Sequence, residues 1–180
     1  MFIGNAFAFF TTALISATIF VCALSGCSGE AAGTHPSDEK LAGIFWTNES
    51  DFAHLVAMSN TDSNVVRIAP EFTWLAQNVK WPRPIEELGF TTDRWDQYRG
   101  LFKKLSLKEG LTRYPESGTI LLIASSEGLV TGGSSKGYAY STKRLPVVDA
   151  SLDTYTPSPS SPGRVYKQLS GPWYLFYEFE

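Results

Sequence analysis

The N-terminal segment constrains the fold most, because it divides the chain into an apolar leader and a more polar remainder. No charged residue occurs from Phe2 to Leu24, and Ser25, Gly26 and Cys27 follow directly. An apolar run that ends in small residues is typical of a secretory signal peptide, which is removed from the mature protein. The part that must fold therefore holds about 150 residues, enough for one domain with its own core.

The residues Leu24-Ser25-Gly26-Cys27 resemble the lipobox of bacterial lipoproteins at all four positions. The resemblance implies a diacylglycerol on Cys27, cleavage between Gly26 and Cys27, and acylation of the new amino group, for example with palmitate. Ser28 follows the cysteine, where an Asp would favour retention in the inner membrane. The resemblance therefore implies a signal peptide over residues 1–26, lipidation of Cys27, and the periplasmic face of the outer membrane as the location.

An uncleaved transmembrane helix is the alternative interpretation of the same segment. Residues 1–5 lack the Lys or Arg of a usual signal n-region, and the apolar run has about the 20 residues needed to cross the hydrocarbon core. The chain would then be held in the inner membrane by its N-terminal helix. The small residues before Cys27 lie where cleavage is expected, so they favour the lipoprotein interpretation.

Cysteine usage and net charge exclude several function classes. The two cysteines, Cys22 and Cys27, lie in the leader and at its end, so the mature domain contains neither a thiol nor a disulfide. Cysteine catalysis, thiolate metal sites and redox chemistry are therefore excluded. The formal net charge is -3, and the first charged residue is Glu30. An acidic mature part argues against nucleic acid and against electrostatic binding to anionic lipid.

The segment after the leader predicts a tether followed by one domain. Residues 28–40 are mostly small or polar, so we expect a flexible tether over residues 27–40, with His35 as a solvated linker residue. We expect a single α+β domain over residues 41–180.

Hydrophobic periodicity predicts the elements of that domain. Helices are expected after the capping residues 47–51 and after a cap at Thr91 or Thr92, where large apolar residues recur at three- and four-residue steps. A short strand or a packing segment is expected over residues 41–46, and a helical turn over residues 71–78. Further strands are expected over residues 64–69, 119–124, 129–131, 137–141, 165–169 and 173–179, with residues 132–135 as a hairpin turn.

These elements predict an α+β fold, with a mostly antiparallel sheet of about five to six strands and two or three helices packed on one face. The last strand is aromatic on both faces, so we expect it inside the sheet. From Arg67 onward the chain resembles a group of small uncharacterised proteobacterial proteins, and this resemblance implies a shared fold unit without a catalytic residue. The segments that carry it are residues 68–74, 81–84, 94–99, 137–140 and 173–177.

The sequence predicts no catalytic, cofactor-binding or metal-binding residue. The glycine-rich residues 128–137 fail as a phosphate loop, because Lys136 is not followed by Ser or Thr. His54 is the only histidine of the expected domain and lacks a partner for serine hydrolase chemistry. Metal ligation by His35, His54 and carboxylates has no recognisable spacing. The carboxylate pairs Asp149 with Asp153 and Glu86 with Glu87 are interpreted as solvated charges.

Aromatic residues make up 14% of the chain, and five of them are tryptophans. We interpret them as core side chains, and a sugar-binding platform is the alternative. Four arginines in the middle of the chain are interpreted as stems that pack on aromatic rings and pair with carboxylates. The tryptophans are Trp46, Trp74, Trp81, Trp95 and Trp173, and the arginines are Arg67, Arg83, Arg94 and Arg99.

The sequence therefore predicts a lipid-anchored envelope protein that acts as a non-catalytic binding or structural module. Its expected partners are the membrane, through the lipid on Cys27, and another envelope protein or the cell wall. No cofactor and no nucleic acid partner are expected. The alternatives are a cell-envelope hydrolase that uses unidentified carboxylates and a periplasmic immunity protein against a toxin. A pair of carboxylates with raised pKa in a cleft would favour hydrolysis.

Overall fold

The computed structural model describes residues 35–75, 78–80, 89–129, 132–148, 150–157 and 163–179. The helices and strands in these ranges are α1 (Asp38–Thr47), α2 (Glu49–Thr61), β1 (Val65–Ile68), β2 (Thr73–Leu75), β3 (Asn78–Lys80), α3 (Thr92–Lys104), β4 (Gly110–Tyr114), β5 (Thr119–Leu129), β6 (Gly132–Tyr140), β7 (Arg164–Ser170) and β8 (Trp173–Phe179). The longest of these helices have 13 residues, and no helix in the described ranges has the length and apolar character of a membrane span.

The eight strands form one sheet in the order β3-β2-β1-β4-β5-β6-β8-β7, and each pair of neighbours is antiparallel. The expected α+β class with a mostly antiparallel sheet is therefore confirmed. The expected count of five to six strands is too low, because β3 and β4 were not predicted and β2 was expected as part of a helical turn over residues 71–78.

The helices pack on one face of the sheet, as predicted. Successive side chains of a strand point to opposite faces, and in β8 Trp173 and Leu175 join the core that contains the helices. Tyr174 and Phe176 belong to a second buried cluster that contains no helix residue. The helix side chains in the main core are Leu41, Phe45, Phe52, Leu55, Val56, Met58, Trp95, Tyr98 and Phe102.

Two local predictions on the N-terminal half are wrong. Residues 41–46, expected as a short strand or a packing segment, are not a strand but lie in α1, where Leu41 and Phe45 are one helical turn apart and both buried. Residues 71–78 were expected to form a helical turn, but Thr73–Leu75 is a strand that pairs with both β1 and β3. Both segments are too short for the spacing of apolar residues to distinguish a helix from a strand, so tertiary packing determines which of the two forms.

The ordered domain begins before the predicted boundary at residue 41. Helix α1 begins at Asp38, and the hydroxyl of Ser37 caps it by accepting the N–H of Lys40 at 3.2 Å. The predicted tether over residues 27–40 is therefore wrong for residues 38–40, because a serine N-cap and two acidic residues in the first turn favour a helix there. The predicted signal peptide and Cys27 lie outside the described residues.

The hairpin after residue 119 is confirmed, but its turn is displaced. Strand β5 runs to Leu129 and β6 begins at Gly132. Residues 132–135, expected as the turn, pair with β5, and Ser134 lies opposite Glu127. The small residues at the start of β6 are typical of a turn in the sequence, although in the structure they continue the hydrogen-bonded pairing with β5. This register places Ser134, Lys136 and Tyr138 on the same face, because they alternate along the strand.

Candidate functional site

A pocket of about 420 Å³ opens on the helix-covered face of the sheet, beside the start of α1. Strands β5, β6 and β8 supply one part of its lining, and the segments around residues 35–37 and 152–155 supply the other. The lining residues are His35, Ser37, Glu127, Ser134, Lys136, Leu152, Asp153, Tyr155 and Tyr177.

A buried lysine forms the floor of this pocket. The side chain of Lys136 is 2% exposed, and its Nζ lies 2.8 Å from Oδ1 of Asp38. The same Nζ donates to the carboxylate of Asp153. Lys167 on β7 donates to the other oxygen of Asp38 at 2.9 Å. Two lysines and two aspartates thus form one compact ion-pair cluster, which joins β6 and β7 to the start of α1.

Asp38 is held by further donors. Its Oδ2 accepts the N–H of Leu152 at 3.0 Å and the hydroxyl of Ser151 at 3.1 Å. Burial by itself would raise the pKa of Asp38, but the hydrogen bonds from Lys136, Lys167 and Leu152 outweigh it and lower the pKa to about 2. Asp38 is therefore ionised at every pH at which the protein is expected to work.

The lowered pKa of Asp38 predicts a specific loss of stability in acid. The pKa of Asp38 is lower in the folded protein than the value of 3.8 expected for the unfolded chain, so ionised Asp38 stabilises the fold above pH 3.8. This stabilisation disappears as the pH falls towards 2. The shift corresponds to about 2 kcal/mol. Between pH 5 and pH 2, the free energy of unfolding of the wild type should fall by about 2 kcal/mol more than that of Asp38→Asn. Urea unfolding at several pH values measures both, and identical pH profiles would contradict the assignment.

His35 lies at the mouth of the pocket between two serine hydroxyls. Its Nδ1 is 2.7 Å from Oγ of Ser125, and its Nε2 is 2.7 Å from Oγ of Ser134. The ring meets Tyr177 edge-on, with 5.6 Å between ring centroids. Burial lowers the pKa of His35, Glu127 opposes this shift, and the nearby Lys136 adds to it. His35 is therefore largely neutral at neutral pH, with one ring nitrogen donating and the other accepting.

The Ser134–His35–Ser125 arrangement has the order of a nucleophile, a base and an orienting group. Two features argue against hydrolysis. Ser134 lies within β6 and pairs with Glu127 on one side and Phe179 on the other, whereas α/β-hydrolases expose the nucleophile on a sharp strand-to-helix turn beside oxyanion donors. The orienting group is a neutral serine, which stabilises an imidazolium less than a carboxylate does. The serines therefore serve to fix the ring of His35.

Glu127 differs from the other charged residues of the pocket. It is half-buried in the lining, and its carboxylate makes no hydrogen bond or ion pair with any other described residue. Asp38 and Asp153, by contrast, are paired with Lys136 and Lys167. Three carboxylates thus face two ammonium groups, so this part of the protein carries one net negative charge, located at Glu127.

Three of the four arginines, Arg67, Arg94 and Arg99, pack on rings or pair with carboxylates as the sequence predicts. Arg94 pairs with Asp62 at 2.9 Å. Arg99 lies over the ring of Trp95, 3.9 Å from its centroid, and Arg67 pairs with Glu109 at 3.9 Å. None of these residues lines the pocket.

The remaining candidates are scattered or lie outside the described residues. His54 is exposed on α2. Trp95 and Trp173 are core residues, whereas Trp46 and Trp74 are 54% and 40% exposed. Asp153 belongs to the Lys136 cluster instead of being a solvated charge. The candidates outside the described ranges are Trp81, Arg83, Glu86, Glu87 and Asp149.

The sequence interpretation missed the residues that build the site. His35 was assigned to the tether, and Lys136 was considered only as part of a phosphate loop. One signal could have found Lys136. If residues 132–140 are taken as a strand, Lys136 and Tyr138 are two positions apart. Both side chains then point to the same face, the one that packs against the core. A lysine in that position requires a buried carboxylate partner.

Within the described ranges, no group of three or more His, Cys, Asp and Glu side chains is placed to hold a metal ion. Comparisons with protein-family models, with curated proteins and with solved structures give no match.

Proposed function

We propose that this protein is a lipid-anchored envelope protein whose domain binds a small ligand, without catalysis, in the pocket beside His35. The observation that carries this proposal is the combination of an open pocket of about 420 Å³ with a carboxylate, Glu127, that has no partner among the described residues. The volume is within the usual range of ligand sites. A partly buried charge without a partner costs stability, and a ligand of complementary charge would offset that cost.

The electrostatics of the cluster support binding over proton transfer. A general acid needs a carboxyl whose pKa is raised towards the working pH. The pKa of Asp38 is instead held at about 2. Asp38 and Asp153 are joined directly, since the N–H of Asp38 donates to Asp153 Oδ1 at 2.9 Å. These carboxylates fix the start of α1 on the sheet, and this role leaves them poorly placed to act on a substrate.

The proposed anchor is the lipid on Cys27, on the periplasmic face of the outer membrane. The lipobox Leu24-Ser25-Gly26-Cys27 supports it. His35 follows Cys27 by eight residues in the sequence, and a fully extended chain of that length reaches about 28 Å. An anchor at Cys27 would therefore keep the His35 end of the chain near the membrane surface.

Intact mass spectrometry of the membrane fraction tests the anchor. For cells that express the full-length gene, we expect a chain that begins at Cys27 and carries acyl mass. Cys27→Ser should abolish both the cleavage and the added mass. Cys22→Ser is the matched control, because it removes a leader cysteine outside the lipobox and should be processed like the wild type. An unprocessed wild-type chain that retains Met1 would overturn the proposed anchor and favour an uncleaved helix.

A further inference from the structure

We propose that the pocket selects a small organic cation, an ammonium group on apolar carbon, with Glu127 as its counter-charge and Tyr177 as its aromatic wall. The inference rests on the proposed pocket as the ligand site and is independent of the lipid anchor.

The charge of the pocket is the first reason to expect a cationic ligand. Glu127 faces the cavity without an ion-pair partner among the described residues. His35 lines the same cavity and is largely neutral at neutral pH, because burial lowers its pKa below the ordinary value. A ligand ammonium would therefore meet one uncompensated carboxylate, in surroundings less polar than water, where ion pairing is stronger.

The aromatic rings in the lining are the second reason to expect a cationic ligand. Tyr155 and Tyr177 both line the cavity, and each packs on Phe179, with ring centroids 6.0 Å and 5.7 Å from it. Aromatic faces attract cations, and quaternary ammonium groups are commonly bound in cages of such rings. Leu152 adds an apolar side chain to the lining. The pocket thus offers one charge and several apolar surfaces, which matches an ammonium substituted with carbon.

Lys136 does not turn this pocket into an anion site. Its Nζ is occupied by Asp38 and Asp153, so its charge is neutralised before any ligand arrives. A carboxylate or phosphate in the cavity would have to approach Glu127 and Asp153, and like charges repel at such distances. The net negative charge therefore favours cations over anions of the same size.

Calorimetric titration of the detergent-solubilised full-length protein tests the inference with a matched pair of probes. Choline and 3,3-dimethylbutan-1-ol have nearly the same shape, but only choline is charged. We expect choline to bind at least about tenfold more tightly than the alcohol. Butylammonium should bind and butyrate should not. Equal binding of choline and the alcohol, or binding of butyrate instead, would overturn the proposal.

Two variants assign the effect to the named residues. Glu127→Gln and Tyr177→Leu should each weaken choline binding by about tenfold and leave the alcohol unchanged. Glu116→Gln is the control, because it removes the same charge from the exposed turn at the other end of β5. Melting curves verify that each variant folds. Unchanged choline affinity in folded Glu127→Gln would refute the proposal.

Phosphocholine separates two sources of such a cation. If it binds as well as choline, its phosphate stays outside the cavity, as the phosphate of a phospholipid headgroup would, and if only choline binds, the site takes a free amine. Both results agree with the proposed chemistry. Failure to bind any cationic probe would overturn the cation proposal and leave the mass-spectrometric test of the anchor unaffected.

Discussion

A chain that ends at Pro172 should lose cooperative unfolding. The truncation removes β8, which pairs with β6 from Ser134 to Tyr140 and with β7 from Arg164 to Ser170. Strand β7 lies at the edge of the sheet and is joined to it through β8. Four consecutive residues of β8, from Trp173 to Phe176, are buried. Burial of such side chains contributes about 1.5–3 kcal/mol each, so their sum is comparable with the whole stability of a domain.

Thermal melting followed by near-UV circular dichroism measures this effect. Trp95 is buried in the core and is kept in the truncated chain, so it reports on tertiary packing in both proteins, and we expect a flat trace for the truncated chain. A chain that ends at Phe179 is the matched control, because it keeps all of β8 and should melt like the full chain. A sharp transition in the chain that ends at Pro172 would show that the fold does not depend on this central strand.

Elements with several agreeing local signals could be predicted from the sequence. In α3, Thr91 accepts the N–H of Arg94 at 3.1 Å as the expected cap, and Trp95, Tyr98 and Phe102 form the buried stripe that their spacing predicts. The central position of β8 followed from its aromatic residues on both faces. In these cases local propensity and tertiary packing favour the same structure.

Strand β4 shows why other elements escaped prediction. Gly110 follows the helix pattern after Thr91 in the sequence, where a glycine is typical of a helix stop, but in the structure it begins β4 with a φ of +73°. A Cβ at this position would lie 2.1 Å from the carbonyl oxygen of Ile68. The glycine therefore permits a close approach between β1 and β4, and a single sequence does not distinguish this role from helix termination.

The site could not be predicted because its contacts join distant parts of the chain. His35 meets Ser125 and Ser134, which lie 90 and 99 residues further along. Asp38 meets Lys167, which lies 129 residues away. Each of these residues alone is an ordinary polar residue in a polar segment. Only the pairing of β5, β6 and β8 brings them together, and strand order was beyond the sequence pattern.

Lys136→Met should be the most destabilising single substitution in the pocket. It removes the ammonium between Asp38, whose side chain is 8% exposed, and Asp153. Breaking a buried ion pair by removing one partner costs about 3–5 kcal/mol, because the remaining charge stays buried. Lys167 still pairs with Asp38, so we expect a loss near the lower limit, about 3 kcal/mol. Urea unfolding at pH 7 measures it.

The burial of Lys136, and not the presence of an ion pair as such, should determine how much unfolding free energy Lys136→Met loses. Lys104→Met is the matched control, because Lys104 is 56% exposed and lies 2.6 Å from Asp51. An exposed pair contributes less than about 1 kcal/mol. Asp38→Asn should lower the free energy of unfolding less in the Lys136→Met variant than in the wild type. In that variant the Asp38 carboxylate has already lost one of its two lysine partners. Equal losses for the two lysine variants would mean that Lys136 contributes no more than a surface charge.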